Sequence, residues 1–311
     1  MSHAILSSDE LEVVVGNNEP GDGRFSGHLA GYNGIWSLQS RHAPDNCFFP
    51  SYAGLNFEHC YDQRLLTLTD RHDLVFEPRN APMHLTEVTA TSAVLHQPPT
   101  SFTGVESWTR FALEGDRIEF EFRARLQMEP EGGWLGMFWA SYMHGPANPG
   151  LCFLGHWPEI ESPTGWMTMS NDTHGETGNV MGPEPVLHPD GWLSPGEGPA
   201  FATLIHSLSH RRYAEPMFYG RPGDGRMMLL HLFEPIPGFR IVQSPSGGGW
   251  NGEAGTWNPA WDFHVVTRPA VEGQEISLRG RVIYIPFESR EDVIRILERW
   301  KIERSASPGK K

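Results

Sequence analysis

The stretch Val105–Gln127, VESWTRFALEGDRIEFEFRARLQ, decides the fold class. In its second half every other residue is apolar, namely Ile118, Phe120, Phe122, Ala124 and Leu126. The first half alternates in the same way, and Gly115 lies between the two halves. A period of two is typical of a strand with one buried face, and a glycine between two such runs favours a tight turn. The stretch therefore predicts a β-hairpin.

The parity of the apolar residues also limits the register of this hairpin. Pairing Leu113 with either Asp116 or Ile118 keeps the apolar sets on one face. The other face then carries charged residues and one tryptophan: Glu106, Trp108, Arg110, Glu119, Glu121, Arg123 and Arg125. Two interpretations remain open. The face is a solvated ladder of ion pairs, worth a few tenths of a kcal/mol per pair, roughly, or it is the floor of a polar cleft with Trp108 as a stacking platform.

Short strand-like runs recur along most of the chain, and helical periodicity is confined to the end. Ser289 begins a capping box, and Val293, Leu297 and Trp300 repeat at helical spacing, which predicts one helix to about residue 302. Residues 305–311 are expected to form a disordered tail. The further predicted strands are 12–15, 31–38, 65–69, 74–77, 83–88, 93–96, 134–143, 201–207, 227–233, 239–243, 262–267 and 275–285.

Two segments, 158–199 and 245–259, resist assignment to strands because they are dense in Gly, Pro, Trp, Asn and Asp. Long irregular segments in a compact domain are more often functional than not. With no internal repeat and no low-complexity linker, we expect residues 1–311 to form a single β-sandwich domain.

Composition and charge exclude several classes of partner. The formal charge of −14 argues against nucleic acid and anionic membranes, and no apolar run reaches membrane-spanning length. The amino terminus lacks the pattern of a signal peptide, so a cytoplasmic location is expected. Three cysteines cannot make a disulfide framework. The 11 tryptophans and 15 histidines suit a sugar site, although tryptophans in a core and histidines scattered over a surface would give the same count.

About sixteen strands and a single helix predict an all-β fold in which two large antiparallel sheets pack face to face. Together with GYNGIWSL (31–38) and the long meander from Met83 to Gln127, this pattern resembles the galactose mutarotase-like supersandwich class. The resemblance implies an open sugar cleft on a concave sheet, where a histidine acid is paired with a glutamate base.

Several histidines stand beside aromatic or acidic residues and are candidates for acid/base work: His59, His144, His156, His174 and His264. The leading candidate is His174, in MSNDTHGETGN (169–179), because Asp172 and Glu176 share its face if the backbone is extended. A neighbouring carboxylate favours the imidazolium, which suits a general acid. His144 ranks second, at the end of an aromatic strand. The best candidate bases are Glu106, Glu176 and Asp262.

Other polar and aromatic residues are candidates for binding sugar hydroxyls, stacking on a sugar ring or stabilising an enolate oxygen. These are Tyr32, Asn33, Trp108, Arg110, Trp139, Tyr219, Arg240 and Trp261.

No motif in the sequence requires a cofactor. His206 and His210 have zincin spacing, but Ser207 stands where the catalytic glutamate is needed. The glycine run in SPSGGGWNGEAG is followed by no helix, which excludes a phosphate loop. A divalent ion remains an alternative: His59, His144 and His174 with a carboxylate are suited to Zn²⁺, Mn²⁺ or Ca²⁺.

These observations predict a carbohydrate-active enzyme that performs proton-transfer chemistry, such as epimerisation, mutarotation, β-elimination or glycoside cleavage. A non-catalytic carbohydrate-binding sandwich and a metal-dependent lyase or oxygenase are the alternatives, because a fold does not determine an activity.

Overall fold

The predicted hairpin is present in the computed structural model, which describes residues 1–66, 71–170, 179–183, 208–252 and 255–306. Strand β7 (Val105–Glu114) pairs with β8 (Arg117–Leu126), and Leu113 lies opposite Ile118. The turn contains Gly115 and Asp116, and Gly115 has a φ of 63°, a value that glycine adopts without strain. The second of the two possible registers is therefore the correct one.

The described residues form twenty strands. Besides the hairpin they are β1 (His3–Ser7), β2 (Leu11–Gly16), β3 (Gly34–Ser40), β4 (Asn56–Tyr61), β5 (His84–Thr86), β6 (Ser92–Gln97), β9 (Leu135–Ala140), β10 (Leu151–His156), β11 (Gly165–Met169), β12 (Asn179–Met181), β13 (Leu208–Tyr213), β14 (Met217–Gly220), β15 (Met227–Phe233), β16 (Phe239–Ser244), β17 (Trp250–Asn251), β18 (Thr256–Trp257), β19 (Ala260–Thr267) and β20 (Glu275–Pro286).

Most strands belong to one 15-stranded sheet in the order β4-β9-β19-β16-β12-β13-β10-β14-β15-β20-β8-β7-β6-β5, with β11 paired to β10. Strands β1–β3 form a second sheet, and β17 and β18 a small third one. The expectation of two purely antiparallel sheets needs one correction, because β12 and β13 are parallel and the large sheet is mixed. The all-β sandwich class is confirmed.

The core forms where two parts of the large sheet face each other. Phe122 on β8 contacts Phe57 on β4 and Trp139 on β9, with ring centroids 5.0 and 4.7 Å apart. Phe233 on β15 contacts Phe263 on β19 at 4.5 Å. Burial of these large aromatic side chains supplies much of the apolar area removed from water. The side chains on the inward face of β4, β9 and β19 are therefore part of the core.

The C-terminal helix covers the opposite side of another part of the sheet. It spans Arg290–Ala306, and the Ser289 hydroxyl accepts a hydrogen bond from the Asp292 amide at 3.2 Å. Val293, Leu297 and Trp300 are buried against β14, β15 and β20. The helix continues past the predicted end at residue 302 and includes residues 305 and 306 of the predicted tail. Among the described residues, no helix combines the length and apolar character needed to cross a membrane.

The predicted strand 74–77 is wrong, and residues 65 and 66 of the predicted strand 65–69 are not in a strand. The chain forms 3₁₀ turns at Gln63–Leu66 and His72–Leu74, followed by a short helix, Glu77–Asn80. Residues 67–69 lie outside the described residues. Short apolar runs do not distinguish the two structures, and Pro78 favours a helix start. The Asp62 carboxylate accepts a hydrogen bond from the Arg64 amide at 3.0 Å, and this bond stabilises the first turn. The other 3₁₀ turns are Gly23–Phe25, Glu131–Gly133 and Pro158–Ile160. The predicted strand 201–207 lies outside the described residues.

Candidate functional site

Alternation along neighbouring strands places polar side chains, together with a second buried apolar cluster, on the side of the large sheet opposite the main core. Trp139, Phe263 and Ile241 point into the core, so the residues that alternate with them point outward. In register on that side, Phe138 lies opposite both His59 and His264, and His264 lies opposite Arg240. We call this side of the sheet the outer face and define it by five residues, all of them buried: His59, Tyr61, Arg240, Asp262 and His264.

A β-bulge at one edge of the outer face adds a carboxylate to it. The register shifts between Phe57 and His59, which leaves Glu58 as the extra residue of the bulge. Glu58 Oε2 lies 3.3 Å from His59 Nε2, and Glu58 Oε1 accepts a hydrogen bond from Arg79 Nη1 at 3.0 Å. The Tyr142 hydroxyl also donates to Glu58 Oε1.

These contacts determine the charge of Glu58. Burial alone would raise the pKa of this carboxyl, but the charges and hydrogen bonds of His59, Arg79 and Tyr142 together lower the pKa to about 2. Glu58 is therefore ionised at neutral pH although its side chain is buried.

The pKa of the Asp262 carboxyl, on the same side of the sheet, is shifted in the opposite direction. Asp262 is buried, and its Oδ1 accepts one hydrogen bond, from the Ser141 amide at 3.0 Å. Burial, together with the negative charge of Glu58, raises the pKa of Asp262 well above its usual range despite that hydrogen bond. The pKa values of these two carboxyls are therefore shifted in opposite directions, an arrangement that suits acid/base chemistry.

His264, Tyr61 and Arg240 complete the outer face. The Tyr61 hydroxyl lies 2.7 Å from His264 Nδ1, a hydrogen bond that orients the imidazole. Arg240 is buried, and burial lowers the pKa of its guanidinium to about 10, which leaves it a cation at neutral pH. A buried cation among neutral and acidic groups can stabilise negative charge that develops on a bound oxygen.

Gly136 on β9 provides the space for the Tyr61 ring, and Gly136→Ala is expected to disturb the outer face. A Cβ at this position would lie 2.1 Å from the ring, so Tyr61 would have to move and its hydrogen bond to His264 would break. Overpacking of this kind costs about 1–3 kcal/mol, which should lower the melting temperature in thermal unfolding. Gly165→Ala, where a Cβ meets open space, is the control. A melting temperature for Gly136→Ala equal to that of the control would contradict the packing described here.

Half-buried aromatic residues form a rim beside Glu58. Tyr32 stacks on Tyr52 with centroids 4.3 Å apart, and the Arg79 guanidinium lies 3.9 Å from the Tyr32 ring centre. Tyr52 contacts Tyr142 at 5.1 Å. The β17–β18 hairpin adjoins this rim, because a Cβ on Gly249 would lie 3.3 Å from the Tyr52 hydroxyl.

The structure brings some of the predicted site residues together at the outer face and its rim. Asp262, Arg240 and His59 lie on the face itself, and Tyr32 belongs to the rim. Asn33 has a structural contact: its side chain bonds to both the carbonyl and the amide of Phe57, each at 3.0 Å. The roles of all these residues remain predictions.

His144 is half-buried next to the rim, with its ring 5.7 Å from that of Phe49. Its role also remains a prediction. The segment containing Asp172, His174 and Glu176 lies outside the described residues.

Other predicted residues lie elsewhere in the fold. Trp139 and Trp261 are fully buried in the sandwich core, where their rings pack against protein. Tyr219 lies on β14 in a different pocket, described below.

Glu106, Trp108 and Arg110 lie on β7, far along the sheet order from the outer face. The Trp108 ring lies between cross-strand neighbours on either side, His96 at 5.0 Å and Arg123 at 4.1 Å. Glu106 pairs with His96 at 3.0 Å, and Arg110 lies 3.9 Å from Glu121. This arrangement is the ion-pair ladder, the first of the two interpretations of the hairpin face, and it leaves no ring face of Trp108 free for stacking.

Among the residues that the structure describes, no three His, Cys, Asp or Glu side chains converge in the manner of a metal site. The predicted set of His59, His144 and His174 includes a residue outside that part of the chain, so a divalent ion remains a proposal.

Sequence reasoning missed Glu58, Tyr61, Arg79 and Tyr142, and ranked His264 below other histidines. A signal was present for His264, because Trp-Asp-Phe-His (261–264) alternates apolar and polar residues as a half-polar strand does. No comparable signal identified Arg79, which lies in the short helix Glu77–Asn80, 21 residues from Glu58.

No protein-family model and no curated protein matches the chain. Solved structures with a similar fold include a galactose mutarotase-related enzyme from Lactobacillus acidophilus, with 10% identity and a TM-score of 0.41, over 91% of this chain and 97% of that one. A GalM/aldose epimerase homologue from C. elegans has 7% identity and a TM-score of 0.45, over 92% and 100%. A mutant of the heparan sulfate lyase HepC from Pedobacter heparinus has 10% identity and a TM-score of 0.40, over 90% and 34%.

The likeness to the galactose mutarotase-like proteins is therefore one of fold. We assign no activity and no residue role from it.

Proposed function

We propose that this protein is a carbohydrate-active enzyme that performs proton-transfer chemistry on a sugar at the outer face. The observation that carries the proposal is a pair of carboxyls, Glu58 and Asp262, whose pKa values are shifted in opposite directions on one side of the sheet, next to His59, His264 and Arg240. Groups whose surroundings drive their pKa values apart supply an acid and a base at the same pH.

Asp262 is the proton donor in this proposal, because burial raises its pKa and so favours the protonated carboxyl. The sequence predicts a base at this position, but the direction of the pKa shift of Asp262 favours the acid role instead. His264 lies two residues along the same strand, about 7 Å away in an extended backbone. When its Nδ1 donates to the Tyr61 oxygen, Nε2 is the basic nitrogen that accepts the substrate proton.

Arg240 stabilises the negative charge that develops on a substrate oxygen as the proton leaves. Glu58 serves as a positioning residue that orients His59 and holds Arg79 at the rim. The resulting reaction class is removal of one proton and delivery of another, at the same sugar carbon in epimerisation and at two different sugar atoms in mutarotation or β-elimination. Which of these occurs depends on the leaving group and stereochemistry of the substrate.

Aromatic surface beside the face supports a sugar as the substrate. Tyr32 and Tyr52 are half-buried at the rim, while Trp250 and Trp257 are 54% and 56% exposed on the adjoining hairpin. Aromatic faces with a polar atom at their edge suit the mixed apolar and hydroxylated surface of a pyranose.

The test is proton NMR of the protein in D₂O with a panel of aldoses, uronates and uronate-containing oligosaccharides. Proton transfer at carbon predicts deuterium incorporation, and mutarotation predicts faster anomer equilibration than with heat-denatured protein. Elimination predicts an unsaturated product. Sugar binding without turnover on any member of the panel would overturn the enzymatic proposal in favour of a carbohydrate-binding sandwich.

A further inference from the structure

A second pocket, of about 460 Å³, opens where strands β10, β11 and β14 meet the beginning of the C-terminal helix. It shares no residue with the outer face. Its lining includes Cys152, Thr168, Tyr219, Arg221, Phe287 and Arg290. Its volume lies within the range of about 300–1,000 Å³ that is usual for small-molecule sites.

Two arginines flank this pocket, and neighbouring groups hold both in place. Arg221 Nε donates to the Gly225 carbonyl at 2.6 Å, and its guanidinium lies 4.5 Å from the Phe287 ring centre. The Arg290 guanidinium lies 5.6 Å from the Trp166 ring centre. Stacking of a guanidinium on an aromatic ring orients the group and leaves its edge available for hydrogen bonds.

Neither guanidinium forms an ion pair with any residue in the described part of the chain. Arg295, by contrast, pairs with Asp292 on the same helix. The residues that line the pocket include two arginines and one acidic residue, the exposed Glu291. The pocket therefore has an excess of positive charge in a chain whose formal charge is −14.

The floor of the pocket adds polar groups without adding negative charge. Tyr219 is 2% exposed, and its ring packs between Trp166 and Phe287 at 5.4 and 5.7 Å. Burial raises the pKa of the Tyr219 phenol, so its hydroxyl is neutral at physiological pH. Arg290 Nε lies 3.5 Å from that hydroxyl. The Thr168 hydroxyl lies 3.5 Å from Cys152 Sγ on the same wall.

From this geometry we propose that the pocket binds a small organic anion of monosaccharide size, through a carboxylate or phosphate group held by Arg221 and Arg290. Guanidinium groups match carboxylate and phosphate oxygens in paired hydrogen bonds, and such charge-assisted bonds are the stronger ones. The half-buried Phe287 side chain lines the pocket and provides apolar surface for the body of the ligand. Tyr219, expected from the sequence to bind substrate, contributes to this pocket rather than to the outer face.

Isothermal titration calorimetry at low salt tests the proposal with glucose 6-phosphate, glucuronate, inorganic phosphate and neutral glucose as probes. At least one organic anion should bind and glucose should not. In the double variant Arg221→Met/Arg290→Met the affinity should fall about tenfold or more, the loss expected for charge-assisted hydrogen bonds. Arg295→Met is the control, because it removes one positive charge from the same helix. Arg295 forms an exposed ion pair, and such pairs contribute little, so the affinity should change less than about twofold.

The outcomes separate the two anion sources and decide the proposal. Binding of glucose 6-phosphate alone identifies a phosphate ligand, and binding of glucuronate alone identifies a carboxylate. Equal affinities in the wild-type protein and the double variant would overturn the proposal, as would a failure of both organic anions to bind. The readout is binding heat, so it is independent of whether the outer face is catalytic.

Discussion

Asp262→Asn is expected to lower kcat/KM on the sugar substrate by about 10²–10⁴-fold, the usual contribution of a positioned proton donor. Burial raises the pKa of the native carboxyl and favours its protonated form, which resembles an amide in shape and charge. The asparagine carbonyl can still accept the hydrogen bond from the Ser141 amide. An amide does not transfer a proton at neutral pH, so the chemical step should fail while the fold remains intact.

Turnover is measured by the NMR assay in D₂O, and folding by circular dichroism and thermal unfolding. The matched control is Asp116→Asn, an exposed residue in the turn of the β7–β8 hairpin, which should leave turnover unchanged. If Asp262→Asn retains full turnover with a native melting temperature, Asp262 is not the acid. If the variant unfolds, Arg240→Lys and His264→Gln serve as the second test of the same face.

His231→Leu is expected to raise the free energy of unfolding. It should also reduce the amount by which that free energy falls when the pH is lowered. His231 is fully buried and stacks on Phe218 with centroids 4.5 Å apart. Neither ring nitrogen has a hydrogen-bond partner among the described residues. Burial lowers the pKa of this histidine from 6.5 to about 3. A leucine of similar volume would remove two unsatisfied polar atoms from the core.

The sign of the pH effect follows from proton uptake. Above pH 6.5 the imidazole is neutral in both states, so it adds no pH dependence. Between pH 6.5 and about 3 the unfolded chain binds a proton that the folded protein does not, so the folded state loses stability as the pH falls. The loss is about 1.4 kcal/mol per pH unit, a few kcal/mol in all.

Urea unfolding at pH 7 and pH 5 measures this difference. Other groups also titrate over this range, so the informative quantity is the pH dependence of the wild-type protein minus that of His231→Leu. His84→Leu, at an exposed position, is the control and should keep the wild-type dependence. The same pH dependence in the wild-type protein and His231→Leu would show that His231 is not the source.

Much of the fold could be predicted because strand alternation is a local property. The β7–β8 hairpin, strands β15 and β16 and the C-terminal helix follow from spacing alone. Local rules failed at Leu65 and at Leu74–Glu77, where short apolar runs fit a strand and a helical turn equally well. They also left the order of strands undetermined, since β4, β9, β19 and β16 are neighbours in the sheet but distant in the chain.

Less of the candidate site could be predicted, because its contacts join residues far apart in sequence. Glu58 meets Arg79 and Tyr142 across 21 and 84 residues, and Tyr61 meets His264 across 203. Alternation placed Asp262 and His264 on one face and Trp261 on the other, but it did not show which face is the core. Trp139 and Trp261 were therefore considered for sugar binding although both are core residues.

The amino-acid sequence by itself determined the all-β class, the hairpin at residues 105–127 and the helix that follows Ser289, because each depends on neighbours in the chain. Only the tertiary structure decided in which direction the pKa of each carboxyl is shifted. The pKa of Glu58 depends on a histidine, an arginine and a tyrosine that folding brings together, and the pKa of Asp262 depends on burial. Desolvation and charge proximity are properties of three-dimensional packing, so the acid and base roles proposed for the outer face could not be assigned from the sequence alone.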